Sequence, residues 1–241
     1  MKTKLFSLPN FVTLLNLLSG VVGVVSMVSL DSYSALRLSF VLVCAAAVFD
    51  FLDGLAARLT HDVSPLGAQL DSLADMVSFG LLPTLIAMKL YYIVGGTGVW
   101  SALLLALPLC AALRLARFNV EAPSSSDNYF KGLPVPAVAL FVASVGWYAQ
   151  HLAALTRPWA CWVCLACGLL LAGLMISSIK MFSLKFHGWN LRNNALRYIF
   201  LLCGLVFVTL TGVLGIALSI ALYVLFAIIC LFIPSNLPSS H

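Results

Sequence analysis

Charged side chains are scarce in this chain of 241 residues. They make up 9% of the sequence, whereas hydrophobic residues make up 62% and the mean hydropathy is +1.08. Soluble domains carry about 25% charged residues and roughly 45–50% apolar residues. The composition therefore excludes an ordinary soluble domain and predicts a protein that lies in a lipid bilayer.

Long polar stretches are missing as well. A helix needs about 20 apolar residues to cross a hydrocarbon core of about 30 Å, and stretches of that kind recur along the whole chain. The alternation of period two that is typical of membrane β-barrels is absent. The sequence predicts an all-α integral membrane protein with about eight transmembrane helices, at approximately 9–29, 36–55, 66–91, 99–116, 134–151, 159–179, 198–214 and 215–233.

The basic residues are distributed unevenly along these predicted helices. If the N-terminus is cytoplasmic, ten of the thirteen lie on the cytoplasmic side, and only Arg37, Lys89 and Arg157 lie on the other. Lys and Arg are enriched in cytoplasmic loops, so we expect both termini to be cytoplasmic. The net charge of +5 fits an anionic lipid surface, which attracts each basic residue by about 1 kcal/mol, and no nucleic-acid partner is expected.

The cysteines do not form a zinc-binding pattern. Most of the seven lie inside apolar stretches, where cysteine behaves as a small hydrophobic residue. Cys161, Cys164 and Cys167 repeat the CxxC spacing, but a second pair and a histidine partner are lacking. We therefore expect these three residues to pack in the bilayer without binding a metal ion.

Acidic residues number only eight, and Asp50, Asp53, Asp71 and Asp75 lie at the ends of two predicted helices. An aspartate at the bilayer centre costs about 2.5–3.5 kcal/mol on insertion, so intramembrane carboxylates are functional candidates. Spacings of three and four residues place each pair on one helix face. The short connection between the helices, which includes Pro65, predicts an antiparallel arrangement that brings both pairs together near the cytoplasmic interface.

Four converging carboxylates predict bound cations. Two carboxylates about 4 Å apart repel each other by roughly 4 kcal/mol at an effective dielectric constant near 20, and two divalent ions would balance four negative charges. Ligands made only of oxygen select hard ions such as Mg²⁺, Mn²⁺ or Ca²⁺. Because paired ions suit displacement at phosphorus, the substrate is expected to carry phosphate groups.

Several basic residues are candidates for binding that phosphate or another anion. Arg58 follows Asp53 on the same helix and can hold a phosphate through two hydrogen bonds, although an arginine that only anchors the helix at the interface would look the same. Arg114, Arg117 and Lys131 lie at or within a predicted cytoplasmic loop at 117–133, where topology alone also favours basic residues. The segment 180–197 is predicted to be an interfacial amphipathic linker.

The acidic positions belong to a longer pattern at 50–75, which reads DxxDGxxAR, eight residues, then GxxxDxxxD. The pattern is formed by Asp50, Asp53, Gly54, Ala57, Arg58, Gly67, Asp71 and Asp75. It resembles the signature of the CDP-alcohol phosphotransferase family. The segments PNFVTLLNLLSG, LDSLADMVSFGLLP, LRLARFN, KGLPVPA and FSLK resemble the serine-transferring branch of that family in bacteria and archaea, so the resemblance covers most of the chain as one catalytic domain, 1–241.

The resemblance implies a reaction, ligands and a cellular location. The enzyme would transfer the phosphatidyl group of CDP-diacylglycerol to the hydroxyl of L-serine and release CMP, in a prokaryotic inner or plasma membrane and commonly as a homodimer. Asp50 and Asp71 would bridge two Mg²⁺ or Mn²⁺ ions, Asp53 would complete one site, and Asp75 would complete the other and accept the proton. The residues that would contact the CDP-lipid are Thr13, Asn16, Gly54, Ala57, Arg58, Ser64 and Gly67.

Several alternatives remain open at this level. The acceptor could be glycerol 3-phosphate or inositol, and an ether lipid could replace diacylglycerol. A route through a covalent histidine, as in phospholipase D-like enzymes, is not expected because no histidine stands in an HxK motif. A cation-coupled transporter predicts acidic residues spread over several helices, and a structural protein with a metal-stabilised helix pair would not need Arg58 or Gly67.

Overall fold

The structure is a computed structural model that describes residues 7–60, 64–121, 129–153, 159–182 and 195–232. Over these ranges the chain is a bundle of helices with one pair of short strands. Its first half comprises α1 (Leu8–Ser29), α2 (Ser32–Leu59), α3 (Pro65–Asp75), a π-helical segment (Met76–Leu81), α4 (Leu82–Ile93), a 3-10 helix (Gly98–Leu105) and α5 (Ala106–Glu121).

Four units of this first half are long and apolar enough to cross a membrane. Helices α1 and α2 are two of them, and the continuous runs Pro65–Ile93 and Gly98–Glu121 are the others. Each agrees with a predicted span to within several residues. The prediction of an integral membrane protein built from helices is confirmed.

The second half contains shorter helices. They are α6 (Val135–Trp147), α7 (Ala149–Ala153), α8 (Ala160–Ile176), α9 (Ala195–Thr211) and α10 (Leu214–Phe232). The apolar helices among them coincide with predicted spans five to eight, but the stretches described in full are only 10–17 residues long. Four membrane-spanning helices, and not eight, are therefore established in the described part of the chain.

Strands β1 (Tyr129–Lys131) and β2 (Lys180–Phe182) pair in antiparallel fashion, with Phe130 opposite Met181. No sequence pattern predicted this pair, which occupies parts of the predicted loop 117–133 and linker 180–197. Most of the linker lies outside the described residues, and α5 extends into the first positions of the predicted loop. Gly132 has φ of 75°, and a Cβ there would collide with the backbone carbonyl of Met175, so the turn after β1 requires glycine.

Small residues let α1 approach the π-helical segment closely. A Cβ on Gly20 would lie 2.8 Å from Ser78 Cα, and one on Gly23 would collide with the Leu82 side chain. The Ser78 hydroxyl donates to the Asn16 carbonyl at 2.9 Å. This contact, of the small-residue kind common in membranes, brings the end of α3 against the middle of α1.

The end of the bundle away from the four aspartates is held by polar contacts between helices. The Lys89 ammonium donates to the Met27 carbonyl in the last turn of α1 at 2.9 Å, where the helix dipole favours a cation. The Arg37 guanidinium donates to Gln150 Oε1 at 2.7 Å and lies over the Trp147 ring. Asp31 caps α2 by accepting from the Ser34 N–H, which lowers the pKa of the Asp31 carboxyl.

Candidate active site

Three carboxylates from two antiparallel helices meet at one end of the bundle. One oxygen each from Asp50, Asp53 and Asp71 lies within 4.8 Å of the others. Asp53 is buried, and Asp50 and Asp71 are partly buried. The chain reverses between α2 and α3, and α3 begins where the Ser64 hydroxyl accepts the Gly67 N–H at 3.0 Å. The convergence expected from the spacing is present for these three of the four aspartates.

The fourth carboxylate has a different environment. Asp75 is buried at the end of α3, directly before the π-helical segment, and it is not one of the three that converge. Asn16 of α1, which is fully buried, donates from Nδ2 to Asp75 Oδ1 at 3.1 Å. Because the Asn16 carbonyl also accepts from Ser78, the same residue of α1 holds both Asp75 and the following turn.

A cavity of about 160 Å³ opens beside the carboxylates. Helix α1, the last turns of α2 and the first turns of α3 form its walls. Gly54 faces open space, since a Cβ there would meet nothing within 4 Å. The cavity is lined both by predicted CDP-lipid contacts and by predicted metal ligands. The lipid contacts are Thr13, Gly54, Ala57, Ser64 and Gly67, and the metal ligands are Asp53 and Asp71.

Two predicted substrate contacts lie outside this lining. Asn16 lies deeper in the bundle against Asp75. Arg58 is exposed in the last turn of α2, where a cation also interacts favourably with the helix dipole. The cavity is also lined by Pro9, Asn10 and Ala68, which were not among the predicted site residues. Asn10 is buried, and its only signal in the sequence was a polar amide at the start of an apolar stretch.

The three further basic residues that were predicted to bind an anion, Arg114, Arg117 and Lys131, lie in different environments. Arg114 of α5 lies within electrostatic range of Asp75 and Tyr223, and its Nε is buried without a hydrogen-bond partner among the described residues. Arg117 Nε donates to Glu121 Oε1 at 2.9 Å in a half-exposed ion pair. Lys131 lies in β1, and its side chain is not among those that the structure describes.

Buried oxygen atoms at the carboxylates lack donors. Among the described residues, Asp53 Oδ2, Asp71 Oδ1 and Asn16 Oδ1 have no hydrogen-bond partner. Buried acceptors are nearly always satisfied by a donor, water or an ion. A group of carboxylate oxygens that receive no hydrogen bonds fits a hard divalent cation, which binds oxygen ligands.

An apolar groove of about 590 Å³ lies between α6, α9 and α10. Leu140, Leu201 and Ile216 are among its apolar residues, and Tyr223 forms part of its wall. Tyr223 and Asp75 both lie within electrostatic range of Arg114. The groove is therefore close to the polar site.

A further apolar cavity contains Cys164 and Cys167. Cys164 Sγ donates a weak hydrogen bond to the Ala87 carbonyl at 3.8 Å. Within the described part of the chain, the only group of histidine, cysteine or acidic side chains close enough to hold a metal ion is that of Asp50, Asp53 and Asp71. The cysteine row thus shows no metal-binding arrangement.

The sequence profile of the CDP-alcohol phosphatidyltransferase family matches residues 6–172 of the chain, a range that includes all four aspartates and Arg114. The chain belongs to this family and is a membrane enzyme. The family resemblance recognised in the 50–75 pattern is thereby confirmed.

Three relatives of this chain share the name CDP-diacylglycerol–serine O-phosphatidyltransferase. A protein of that name from Helicobacter pylori is 34% identical over 234 residues, which cover 93% of this chain and 91% of the relative. The protein of that name from Methanocaldococcus jannaschii is 36% identical over 139 residues, 58% of this chain and 60% of its own. One from Saccharomyces cerevisiae is 34% identical over 149 residues, which cover 57% of this chain and 52% of the relative.

Proposed function

We propose that this enzyme transfers the phosphatidyl group of CDP-diacylglycerol to the hydroxyl of L-serine and releases CMP. The observation that carries the proposal is the meeting of the Asp50, Asp53 and Asp71 carboxylates beside a cavity lined by Thr13 and Gly54. Family membership supports the reaction class, and the names of the relatives support serine as the acceptor.

Two divalent ions, Mg²⁺ or Mn²⁺, with Ca²⁺ as a further candidate, are part of the proposal. Asp50 and Asp71 would bridge them, Asp53 would complete one site and Asp75 the other. The unpartnered oxygens of Asp53 and Asp71 support this assignment. When bound, such ions neutralise charge that develops on phosphate oxygens.

The CDP part of the lipid would occupy the cavity at the ends of α1, α2 and α3. Gly54 and Gly67 would let its phosphates approach the helix backbone, and Ser64 and Thr13 would supply hydroxyl groups. The small side chain of Ala57 would leave space for the lipid in the cavity. The exposed Arg58 at the mouth would reach a phosphate from outside. Asn16 would act through its hydrogen bond to Asp75 and not by touching the lipid.

The acceptor would react by direct displacement. The serine hydroxyl oxygen forms a bond to the phosphorus that carries diacylglycerol, and the bond from that phosphorus to the CMP phosphate oxygen breaks. CMP leaves with the electron pair, and the hydroxyl proton passes to Asp75. Asn16 orients the Asp75 carboxylate by donating to Oδ1, which leaves Oδ2 to take the proton.

Arg114 is the best-placed group for the carboxylate of serine. Its buried Nε has no partner among the described residues, and its guanidinium lies within electrostatic range of Asp75. A planar guanidinium binds a carboxylate through two parallel hydrogen bonds. Arg117 is engaged with Glu121 and is a weaker candidate, and Lys131 remains a candidate from its sequence position alone.

The cellular setting is inferred from charge and length. We propose eight membrane spans, cytoplasmic termini and a cytoplasmic active site in a prokaryotic inner or plasma membrane, with the chain acting as a homodimer. The ten basic residues on one side favour this orientation. A site at the interface lets serine and CMP exchange with water while the acyl chains stay in lipid.

The test is an acceptor panel. The purified protein in detergent receives CDP-diacylglycerol and Mn²⁺ with serine, glycerol 3-phosphate or inositol in separate reactions, and CMP release and the lipid product are measured. We expect release with serine alone. Release with another acceptor would keep the family chemistry and overturn the substrate, and ion transport without release would favour the transporter.

A further inference from the structure

Two polar residues that the proposed reaction does not use meet between α3 and α5. Asn119 Nδ2 lies 2.8 Å from Ser72 Oγ. The single hydroxyl hydrogen of Ser72 is directed to the Ala68 carbonyl at 3.1 Å, so the Asn119 amide must be the donor in the contact between the helices. The donor of this hydrogen bond is therefore Asn119 Nδ2 and the acceptor is Ser72 Oγ.

The hydrogen bond joins the helix of the carboxylates to the helix of Arg114. Ser72 follows Asp71 directly and precedes Asp75 by one turn of α3. Asn119 lies five residues after Arg114 on α5, about 7.5 Å along the helix axis at 1.5 Å per residue. A shift of α5 relative to α3 would change the distance between Arg114 and Asp75.

That distance requires control because the two side chains attract each other. Arg114 lies within electrostatic range of Asp75, yet the two form no direct ion pair in the described structure, where the only ion pair is that of Arg117 and Glu121. A collapsed pair would neutralise both groups and fill the space between them. Without that ion pair, the buried Arg114 Nε has no hydrogen-bond partner among the described residues.

We propose that Asn119 and Ser72 are a positioning pair that fixes α5 against α3 and so sets the separation between Arg114 and Asp75 that the acceptor carboxylate fills. The inference rests on the proposed function, in which Arg114 binds that carboxylate. Neither member of the pair touches the reacting atoms. Their effect belongs to acceptor binding and not to the CDP-lipid cavity, which α1, α2 and α3 form.

Steady-state kinetics of Asn119→Ala, Ser72→Ala and the double variant test the pair. Loss of one hydrogen bond predicts a rise in the serine KM of about three- to tenfold, with kcat and the KM for CDP-diacylglycerol changed less than twofold. The double variant should be no worse than the stronger single variant, because both remove the same contact. Ser72→Thr keeps the hydroxyl and should stay near the wild-type KM.

Gln150→Ala is the matched control, since it removes one side-chain hydrogen bond between helices, to Arg37, at the other end of the bundle. It should leave the serine KM unchanged. An unchanged serine KM in both single variants, additive losses in the double variant, or an equal rise in both KM values would overturn the pair. Wild-type release with a different acceptor would instead overturn the proposed substrate, and the same variants would then be read on that acceptor's KM.

Discussion

At the scale of single residues, the four aspartates divide into two environments. Asp50, Asp53 and Asp71 share a space in which their oxygens approach within 4.8 Å, whereas Asp75 is held by an amide from α1. Substitution by asparagine removes the charge with little change in size. The two environments therefore predict two different kinetic responses to the same change.

Asp71→Asn should lower CMP release by at least about a hundredfold, because a metal ion contributes several kcal/mol at the transition state and each 1.4 kcal/mol is a factor of ten. Its residual activity should require a higher Mn²⁺ concentration. Asp75→Asn should be at least as slow, but added Mn²⁺ should not recover its rate if proton transfer is lost. Metal titrations of both variants make the comparison.

Asp31→Asn is the matched control for these variants. Asp31 is an exposed cap at the other end of α2, and asparagine caps helices equally well. Its activity and Mn²⁺ dependence should match those of the wild type. A comparable loss in this control, or unaltered metal dependence in Asp71→Asn, would count against a metal site at the carboxylates.

Gly54→Leu should separate a role in binding from a role in folding. A Cβ at Gly54 meets nothing within 4 Å, and leucine favours the helix by roughly 0.8 kcal/mol over glycine. We expect unchanged or higher thermal stability together with at least a tenfold rise in the KM for CDP-diacylglycerol, since the side chain would enter the cavity. Gly173→Leu, equally open but on α8, should leave the KM unchanged; equal kinetics in both variants would contradict the assignment of the cavity.

Much of the grouping of residues at the candidate site could be predicted from the sequence, because spacing along a helix is a local property. Positions three and four apart on a helix share a face, which pairs Asp50 with Asp53. Asp75 lies outside the group of Asp50, Asp53 and Asp71 despite its spacing from Asp71. The contact of Asn16 with Asp75 could not be predicted, because it depends on how deeply α1 is inserted beside α3. The same holds for Asn119 and Ser72, which are 47 positions apart.

At the scale of elements, the contact between α1 and the π-helical segment Met76–Leu81 sets the position of Asp75. The N–H of Leu82 bonds to the Val77 carbonyl five residues earlier, which is the π pattern. Such turns frequently lie at functional sites, and this one starts immediately after Asp75. Gly20 allows the close approach of α1 to Ser78.

Alanine substitutions at three glycines should give a graded loss of stability. Gly20→Ala forces a clash with the Ser78 backbone and should cost about 1–3 kcal/mol. Gly23→Ala meets only the flexible end of Leu82 and should cost less, and Gly173→Ala, in open space, should cost nothing. Thermal unfolding in detergent measures the order, and a Gly20→Ala variant as stable as Gly173→Ala would contradict the tight contact.

The helices themselves were predictable from apolar length, and the short strands were not. Apolar stretches of about 20 residues gave the four long units to within several residues. The strand pair depends on contacts between residues some 50 positions apart. The requirement for glycine at position 132 is likewise not visible in the sequence, because it depends on the nearby carbonyl of Met175. The π-helical segment contains no proline, and its single glycine, Gly80, does not reveal a π turn because glycine is frequent in membrane helices.

At the scale of the whole molecule, charge and polar contacts divide the bundle into two ends. The carboxylates and the cavity lie at one end, and the contacts of Lys89 with α1 and of Arg37 with α7 lie at the other. The proposed orientation makes the first end cytoplasmic. It is also the end that water-soluble reactants must reach.

Cysteine labelling should show this orientation. In a variant without the native cysteines, Thr97→Cys, in the exposed connection after α4, should react with a membrane-impermeant maleimide added outside intact cells. Thr60→Cys, which is exposed beside the carboxylate end of α2, should react only after permeabilisation. The reverse pattern would contradict a cytoplasmic active site.

Transfer of radiolabelled serine into lipid by the purified wild-type protein is the decisive test of the proposed reaction. We expect labelled phosphatidylserine in equal amount to the CMP released, loss of both on chelation, recovery of both on adding Mn²⁺ or Mg²⁺, and neither product from Asp75→Asn. CMP release without labelled lipid, or transfer that continues after chelation, would contradict a metal-dependent transfer to serine at the four aspartates.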